Sequence, residues 1–249
     1  MIKDLRIEEV LNSKVYVKPG SAISFGSPKK YLEPFVEYAE AKAVSFRVKV
    51  ADPIINAEEE GAMNIAYPRV MVEANLGSLI EGFDAIVGMV YALDLQKPVI
   101  KAYSGFNVQS CVNLTIFNSD RLVQQELLAD SNKVYTAVES FVEQKEEEVK
   151  TFNETLSNLR LANLTENTFN ELMGKLLREG SRTKLGTNPI LHAVKLLDDN
   201  ASQYYIRQEN KFSCTKFNVY NAVTQALTNS NDITDRANKT IQLANTILN

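Results

Sequence analysis

Between Ala43 and Val50 apolar and polar residues alternate without a break, with Val44, Phe46, Val48 and Val50 set against Ser45, Arg47 and Lys49. Strand side chains point to opposite faces with a period of two, so this pattern fits a half-buried strand and no helix. Tyr67 to Leu76 repeats it, Val70, Val72 and Ala74 opposing Arg69, Met71 and Glu73. Phe83 to Asp94 is apolar on both faces, as in a central strand covered on two sides, with a helix as the competing assignment. Pro98 to Tyr103 and Phe106 to Phe117 continue the run. Gly77 to Gly82 and Gly105-Phe106-Asn107 supply turn chemistry between segments. The spacing predicts a mostly antiparallel sheet of about five strands from Val44 to Phe117.

Helical signals flank that region. Ser27 before Pro28 is an N-cap and N1 pair, and Tyr31, Leu32, Phe35, Val36 and Ala39 follow at helical spacing to about Glu40. Pro53 closes the first strand and the loop from Glu58 to Gly61 is acidic. From Asn118 onward the pattern turns helical: Ser119 can cap, Leu122, Val123 and Leu127 recur, and a long helix is expected near Val134 to Leu159. Thr168 and Glu171 form a capping box for a helix that Gly180 closes. Further helices are expected at Ile190 to Asp199, near Thr215 to Asn229, and from Thr234 to Leu248. The fold class is therefore α+β, a mostly antiparallel sheet in the N-terminal half followed by a helical C-terminal half. With no repeat or low-complexity linker, the strand-rich part (1–118, one early helix) and the helical part (119–249) are expected to pack as one continuous domain.

Composition narrows the partners. The 249 residues are 45% hydrophobic and 23% charged, as in ordinary globular chains, and no stretch reaches the ~18 apolar residues of a spanning helix. The charged N-terminus lacks the apolar core of a secretory signal, so the expected setting is cytoplasmic, without a membrane partner. Cys111 and Cys214 lie far apart and form no C-x-x-C pair, the usage of a reducing compartment. The formal net charge of −4 removes the simplest footprint of a nucleic-acid binder, a strongly basic domain, and leaves only a local basic patch.

Few residues carry recognisable chemistry. The single histidine, His192, falls in an apolar helix, where a structural role is expected. No G-x-x-x-x-G-K-[ST], G-x-G-x-x-G or G-x-S-x-G occurs, so no cofactor, metal or catalytic residue is assigned. Enzyme chemistry would fall to carboxylates that the sequence does not pair. Acid runs such as Asp198-Asp199 and Glu58-Glu59-Glu60 read as solvated loops, and Arg178, Arg182 and Lys184 as a basic cluster in a helix-to-helix connection. Arg47, Lys49 and Arg69 share the polar faces of adjacent strands, with Lys101 and Tyr103 further along the sheet. Such a face can track a phosphate backbone while the tyrosine stacks on bases; the alternative is the polar face that any antiparallel sheet shows to water.

Two passages, Tyr103-Ser104-Gly105-Phe106-Asn107-Val108-Gln109-Ser110-Cys111-Val112-Asn113-Leu114 and Phe217-Asn218-Val219-Tyr220-Asn221-Ala222-Val223-Thr224, resemble the phage/plasmid-like proteins of unknown function found in phages, prophages and plasmids. There a strand ending in a Cys-x-Asn step precedes a long helix, and a later helix carries a Tyr-Asn-Ala-x-Thr-like run. The order of elements agrees over roughly Val44 to Leu248. The His-Asp-Gly turn common in that family has no histidine here, where Asn75-Leu76-Gly77-Ser78 stands. The resemblance implies a mobile-element setting and no particular activity. With the basic face it leads to the expectation of a non-enzymatic accessory protein that binds single-stranded nucleic acid through Arg47, Lys49, Arg69, Lys101 and Tyr103. A protein that engages a host or defence protein, and a carboxylate-based enzyme, are the alternatives. Surplus apolar positions between Val134 and Leu159 raise the further expectation of a homo-oligomer.

Overall fold

The computed structural model describes residues 2–13, 16–17, 24–25, 28–52, 54–57, 63–93, 96–110, 113–127, 132–208, 211–228 and 233–249. The expectations placed on Ser27, Pro53, Glu58 to Glu60 and Cys111 lie outside these residues. Strands β1 (Ile2–Leu5), β2 (Ser45–Ala51), β3 (Arg69–Ile80), β4 (Phe83–Ala92), β5 (Val99–Val108) and β6 (Asn113–Thr115) follow one another across a single sheet. A seventh, β7 (Leu122–Glu126), pairs with the part of β5 that β6 leaves open. Every pairing in this sheet is antiparallel. Helices dominate the second half, so the α+β arrangement of the chain is as its patterning predicts.

Strand parity decides what covers each face. The odd-even split of β2 and β3 puts Val48, Val50, Val70 and Val72 on one side, joined by Met89, Ile100 and Phe106. Over them lie α1 (Ile7–Leu11), α2 (Pro28–Glu40), α3 (Asn132–Glu143) and α4 (Lys145–Leu161), which contribute Val10, Phe35, Val138 and Phe152. Phe106 and Phe117 flank Phe152 with centroids 3.9 and 5.0 Å away. The opposite face carries Met71, Ile86, Val90 and Tyr103, and is covered by Ile233 and by Ala237 and Ile241 of α8 (Arg236–Leu248). Helices α5 (Glu166–Arg182), α6 (Asn188–Asp198) and α7 (Lys216–Thr228) enclose a further core with α8. Among the described residues no helix is long and apolar enough to cross a membrane.

The joint between sheet and helices is polar and buried. Asn113 on β6 donates through Nδ2 to the carbonyl of Asn221 on α7 at 3.1 Å and to its side-chain Oδ1 at 2.8 Å. The Tyr220 hydroxyl accepts from the Ile116 amide at 3.2 Å. The two passages that carry the family resemblance therefore meet in space and fix β6 to α7.

Several local expectations are corrected. Gly105 is not in a turn: β5 runs through it and turns only after Val108. Its missing side chain serves packing, since a Cβ there would lie 2.7 Å from the Thr115 carbonyl oxygen and 2.8 Å from Ile116 Cγ1. Leu122 and Val123 belong to a strand, because the upper half of β5 still has an unpaired edge that they fill. The predicted turn from Gly77 narrows to Glu81 and Gly82, with β3 continuing to Ile80 through register shifts after Asn75. The long helix is two, broken at Gln144, and its apolar residues Val134, Val138, Phe141, Val142, Phe152 and Leu156 are buried within this chain. Helix α5 is capped by Thr165 with Thr168, three residues earlier than expected, and runs through Gly180, which packs against the Gly186 carbonyl.

Gly105→Ala tests the close approach of β5 and β6. The added methyl meets backbone that cannot rotate away, so stability should fall by about 1–3 kcal/mol. Urea unfolding should show a lower midpoint with an unchanged slope.

Candidate functional site

The second sheet face carries a row of residues in direct register: Arg47 opposite Glu73, Glu73 opposite Gly88, and Gly88 opposite Tyr103. Gly88 leaves a gap in this row that the Tyr103 ring fills; a Cβ at Gly88 would lie 2.2 Å from Tyr103 Cζ. The ring thus crosses β4, and its hydroxyl donates to Glu73 Oε1 at 2.8 Å. Glu73 is 2% exposed. Two guanidiniums flank it, Arg47 Nη1 3.7 Å from Oε2 and Arg236 Nη1 3.8 Å from Oε1. Burial, reinforced by the charge of Glu73, pushes the Tyr103 hydroxyl well above its ordinary pKa, which keeps it a donor.

One step along the sheet, Lys101 donates to Asp235 Oδ1 at 2.6 Å and to the Thr234 carbonyl at 2.9 Å, while Lys184 lies 3.6 Å from Asp235 Oδ2. These contacts pin the residues just before α8 onto the face. Burial works against ionisation of Asp235, but hydrogen bonds from Lys101 and Asn238 and the charges of Lys101 and Lys184 together hold its carboxyl below the usual value.

All five residues singled out from the sequence share this face, as strand alternation predicts. Their exposure differs from the expectation. Tyr103 and Lys101 are buried, at 1% and 4% exposure, so the ring cannot stack on a base and the ammonium is committed to Asp235. Lys49 is also buried. Arg69 lies at the far end of β3, 3.5 Å from Asp52. Arg47 lines a cavity.

That cavity, of about 220 Å³, opens where β4 and β5 extend beyond the cover of α8. Ser45, Arg47, Glu73, Asn75, Asp84, Asn107 and Gln109 line it, with Ile86 and Val108 as its apolar part. Asp84 is tied on both oxygens, accepting from Asn75 Nδ2 at 2.9 Å and from Gln109 Nε2 at 2.7 Å. Asn75 is oriented in turn by the Gly77 amide, which donates to its Oδ1 at 2.8 Å. Three further atoms are buried without any hydrogen bond: Arg47 Nη1, Glu73 Oε2 and Asn107 Oδ1. Arg47 Nη1 and Glu73 Oε2 face each other as a loose ion pair, and all three atoms lie below the surface of the cleft wall. The two carboxylates are held separately, Glu73 by Tyr103 and Asp84 by amides.

A second cavity, of about 60 Å³, lies on the opposite face between Ser104, Thr115, Arg121, Glu148 and Phe152. Glu148 sits 2.7 Å from Arg121 Nη1 and accepts from Ser104 Oγ at 3.3 Å. Its carboxyl is raised by burial against the lowering influence of Arg121 and Ser104. The space suits about two water molecules.

The remaining candidates are scattered. His192 is on the exposed side of α6, away from its buried neighbours Ala193 and Leu197. Cys214 is a buried free thiol whose pKa burial pushes up to about 12, so it stays protonated. Arg178, Arg182 and Lys184 are exposed at the end of α5. Among the described residues no group of acids, cysteines and histidine converges as metal ligands. The sequence passed over Glu73, Asp84 and Asn107, although Gly88 in the middle of an apolar strand was a visible sign that something crosses it. No protein-family model, curated protein or solved structure matches the chain.

Asp235→Asn should lower stability by roughly 3 kcal/mol at pH 7, because the buried Lys101 loses its counter-charge. A carboxyl depressed in the folded state stabilises above its unfolded value, near 3.8, and that contribution is lost as pH falls through the lower folded value. Denaturant midpoints of the two proteins should therefore stay apart from pH 7 down to about pH 4 and converge only below it.

Proposed function

We propose that this protein is an accessory protein of a phage or plasmid that binds single-stranded nucleic acid by taking an unstacked base into the cleft between Arg47, Asp84 and Gln109. The observation that carries this is the polar lining of the cleft, in which Ser45, Arg47, Asn75, Asp84, Asn107 and Gln109 stand around a small apolar part. Single-stranded nucleic acid is the polymer whose bases can be splayed out and read on their hydrogen-bonding edges by groups of this kind.

Size agrees. At about 220 Å³ the cleft is below the roughly 300–1,000 Å³ of pockets that enclose drug-sized ligands, so it takes one ring system and leaves sugar and phosphate at the mouth. Ile86 and Val108 supply apolar contact for the ring faces. One cation, Arg47, about one-third exposed, lines the cleft where a phosphate would pass. The stacking role first expected of Tyr103 passes to the cleft, and Tyr103 becomes the group that orients Glu73.

Fluorescence anisotropy with labelled oligonucleotides tests the proposal. Single strands should bind at 50 mM salt, and duplex of the same sequence more weakly. One phosphate contact on a single strand implies a loss of about twofold to threefold between 50 and 200 mM salt. Arg47→Gln should weaken binding and flatten the salt dependence. Absence of single-strand binding at 50 mM salt would refute the proposal.

A further inference from the structure

The sheet has an open edge with a groove beside it. Strand β7 pairs with β5 along one side, and among the described residues no strand pairs with its other side. Hydrogen bonding fixes which groups that side presents. The Leu127 amide donates to the Pro98 carbonyl, so Leu127 and, by alternation, Gln125 and Val123 turn their amides and carbonyls to β5. Leu122, Gln124 and Glu126 turn theirs outward. Edge strands commonly avoid pairing through prolines, bulges or lysines; Leu122 to Gln125 has none of these, and its register is unbroken.

The groove lies where an added strand would place side chains. Val123 packs with the core of the first face and Leu122 with that of the second, so Val123 and Gln125 share the side on which α3 lies. There a groove of about 550 Å³ runs between Val123 and α3, lined also by Lys133, Thr136, Ala137, Ser140 and Phe141. Helix α2 packs on the other flank of α3, so the groove is the outer flank. A strand added to β7 would run about 4.8 Å further out, with alternate side chains entering this space.

The two ends of the groove differ. A short connection joins β7 to α3, so α3 starts beside Glu126 and returns toward Leu122. Lys133, exposed and in no ion pair among the described residues, stands at the first end. Val123, Ala137 and Phe141 give the second an apolar floor.

We infer that β7 is the docking edge for an extended peptide segment of another protein, added antiparallel, with an acidic residue opposite Gln125 and, two residues later, a bulky apolar residue opposite Val123. Main-chain hydrogen bonds to Leu122, Gln124 and Glu126 hold the segment, and the groove selects its alternate side chains. The acid meets Lys133 in the first turn of α3, where the helix dipole also favours it. A second copy of this chain does not fit. Pairing about Gln124 would set Val123 opposite Gln125, placing an apolar group at the lysine and an amide over the apolar floor. This inference is independent of single-strand binding at the cleft.

A fluorescein-labelled peptide with the core Thr-Asp-Thr-Leu-Thr, titrated by anisotropy into the full chain, tests it. Saturable binding is expected at about 1 mM or below. N-methylation of the central threonine removes the donor to the Gln124 carbonyl and should weaken binding about tenfold. N-methylation of the leucine, whose amide points away from β7, should leave it unchanged. Gln124→Pro removes an outward amide without touching the pairing to β5, so it should keep the wild-type urea midpoint yet lose most of the binding. Lys133→Gln should cost about twofold to fivefold, and only for a peptide that carries the acid. If the peptide fails to bind at 1 mM, or binds Gln124→Pro as tightly as the wild type, β7 is no docking edge. Binding of Thr-Leu-Thr-Asp-Thr as tight as that of the first peptide overturns the antiparallel register. A wild-type dimer on gel filtration that Gln124→Pro dissociates assigns the edge to a second copy and overturns the inference.

Discussion

The buried carboxylate of Glu73 is the constraint around which the second sheet face is organised. A carboxylate at 2% exposure is costly unless charges and hydrogen bonds surround it. Here three different parts of the chain answer that demand: Arg47 from the neighbouring strand, Tyr103 from across β4, and Arg236 from the start of α8. The Tyr103 hydroxyl can reach only because Gly88 leaves its place in the row empty. Arg236 is brought in from the last helix, and with it the cover of the face. One acidic residue on a strand thus couples sheet register, an interior glycine and the docking of α8.

That coupling is imperfect in a specific way. Both guanidinium nitrogens stand beyond hydrogen-bond distance from the carboxylate, at 3.7 and 3.8 Å, while one of its oxygens and Arg47 Nη1 make no hydrogen bond. The neighbouring Lys101–Asp235 contact, at 2.6 Å, shows that a close ion pair forms one row away on the same face. The looseness is therefore local to the ion pairs of Glu73. Sequences agree with their folds at most levels and break local rules where function demands it, which makes this the informative departure.

Much of the sheet was legible in the sequence because period-two alternation in β2 and β3 is set by burial of one face, and a slip by one residue would reverse it. The same alternation put Arg47, Lys49, Arg69, Lys101 and Tyr103 on one side. It could not say what lies above them, since the cover comes from α8, more than 130 residues beyond Lys101. Apolar residues on both sides of β4 pointed to cover on two faces, but not to its source. Gly105 and Leu122 were misassigned for a related reason: each owes its conformation to a partner strand, β6 or β5, and not to its neighbours in sequence. Asn107, placed in a turn on local chemistry, lies on a strand and faces the cleft.

The position of the cleft follows from the ends of things. Helix α8 and Ile233 cover Met71, Val90 and Tyr103, and the face beyond them, toward Asn75, Asp84 and Asn107, is left to polar side chains. At that end β3 shifts register after Asn75, where Gly77 has φ of +92°, a conformation that costs glycine little. The Gly77 amide turns back onto Asn75, which holds Asp84, which holds Gln109. A bulge in one strand is in this way converted into a rigid polar wall opposite Glu73 and Arg47. Such a wall fixes where hydrogen bonds can be made before any ligand arrives, and preorganised groups lose less entropy on binding than flexible ones. Larger volume and this rigid wall are what distinguish the cleft from the smaller cavity under α4, where Glu148 has Arg121 and Ser104 as partners.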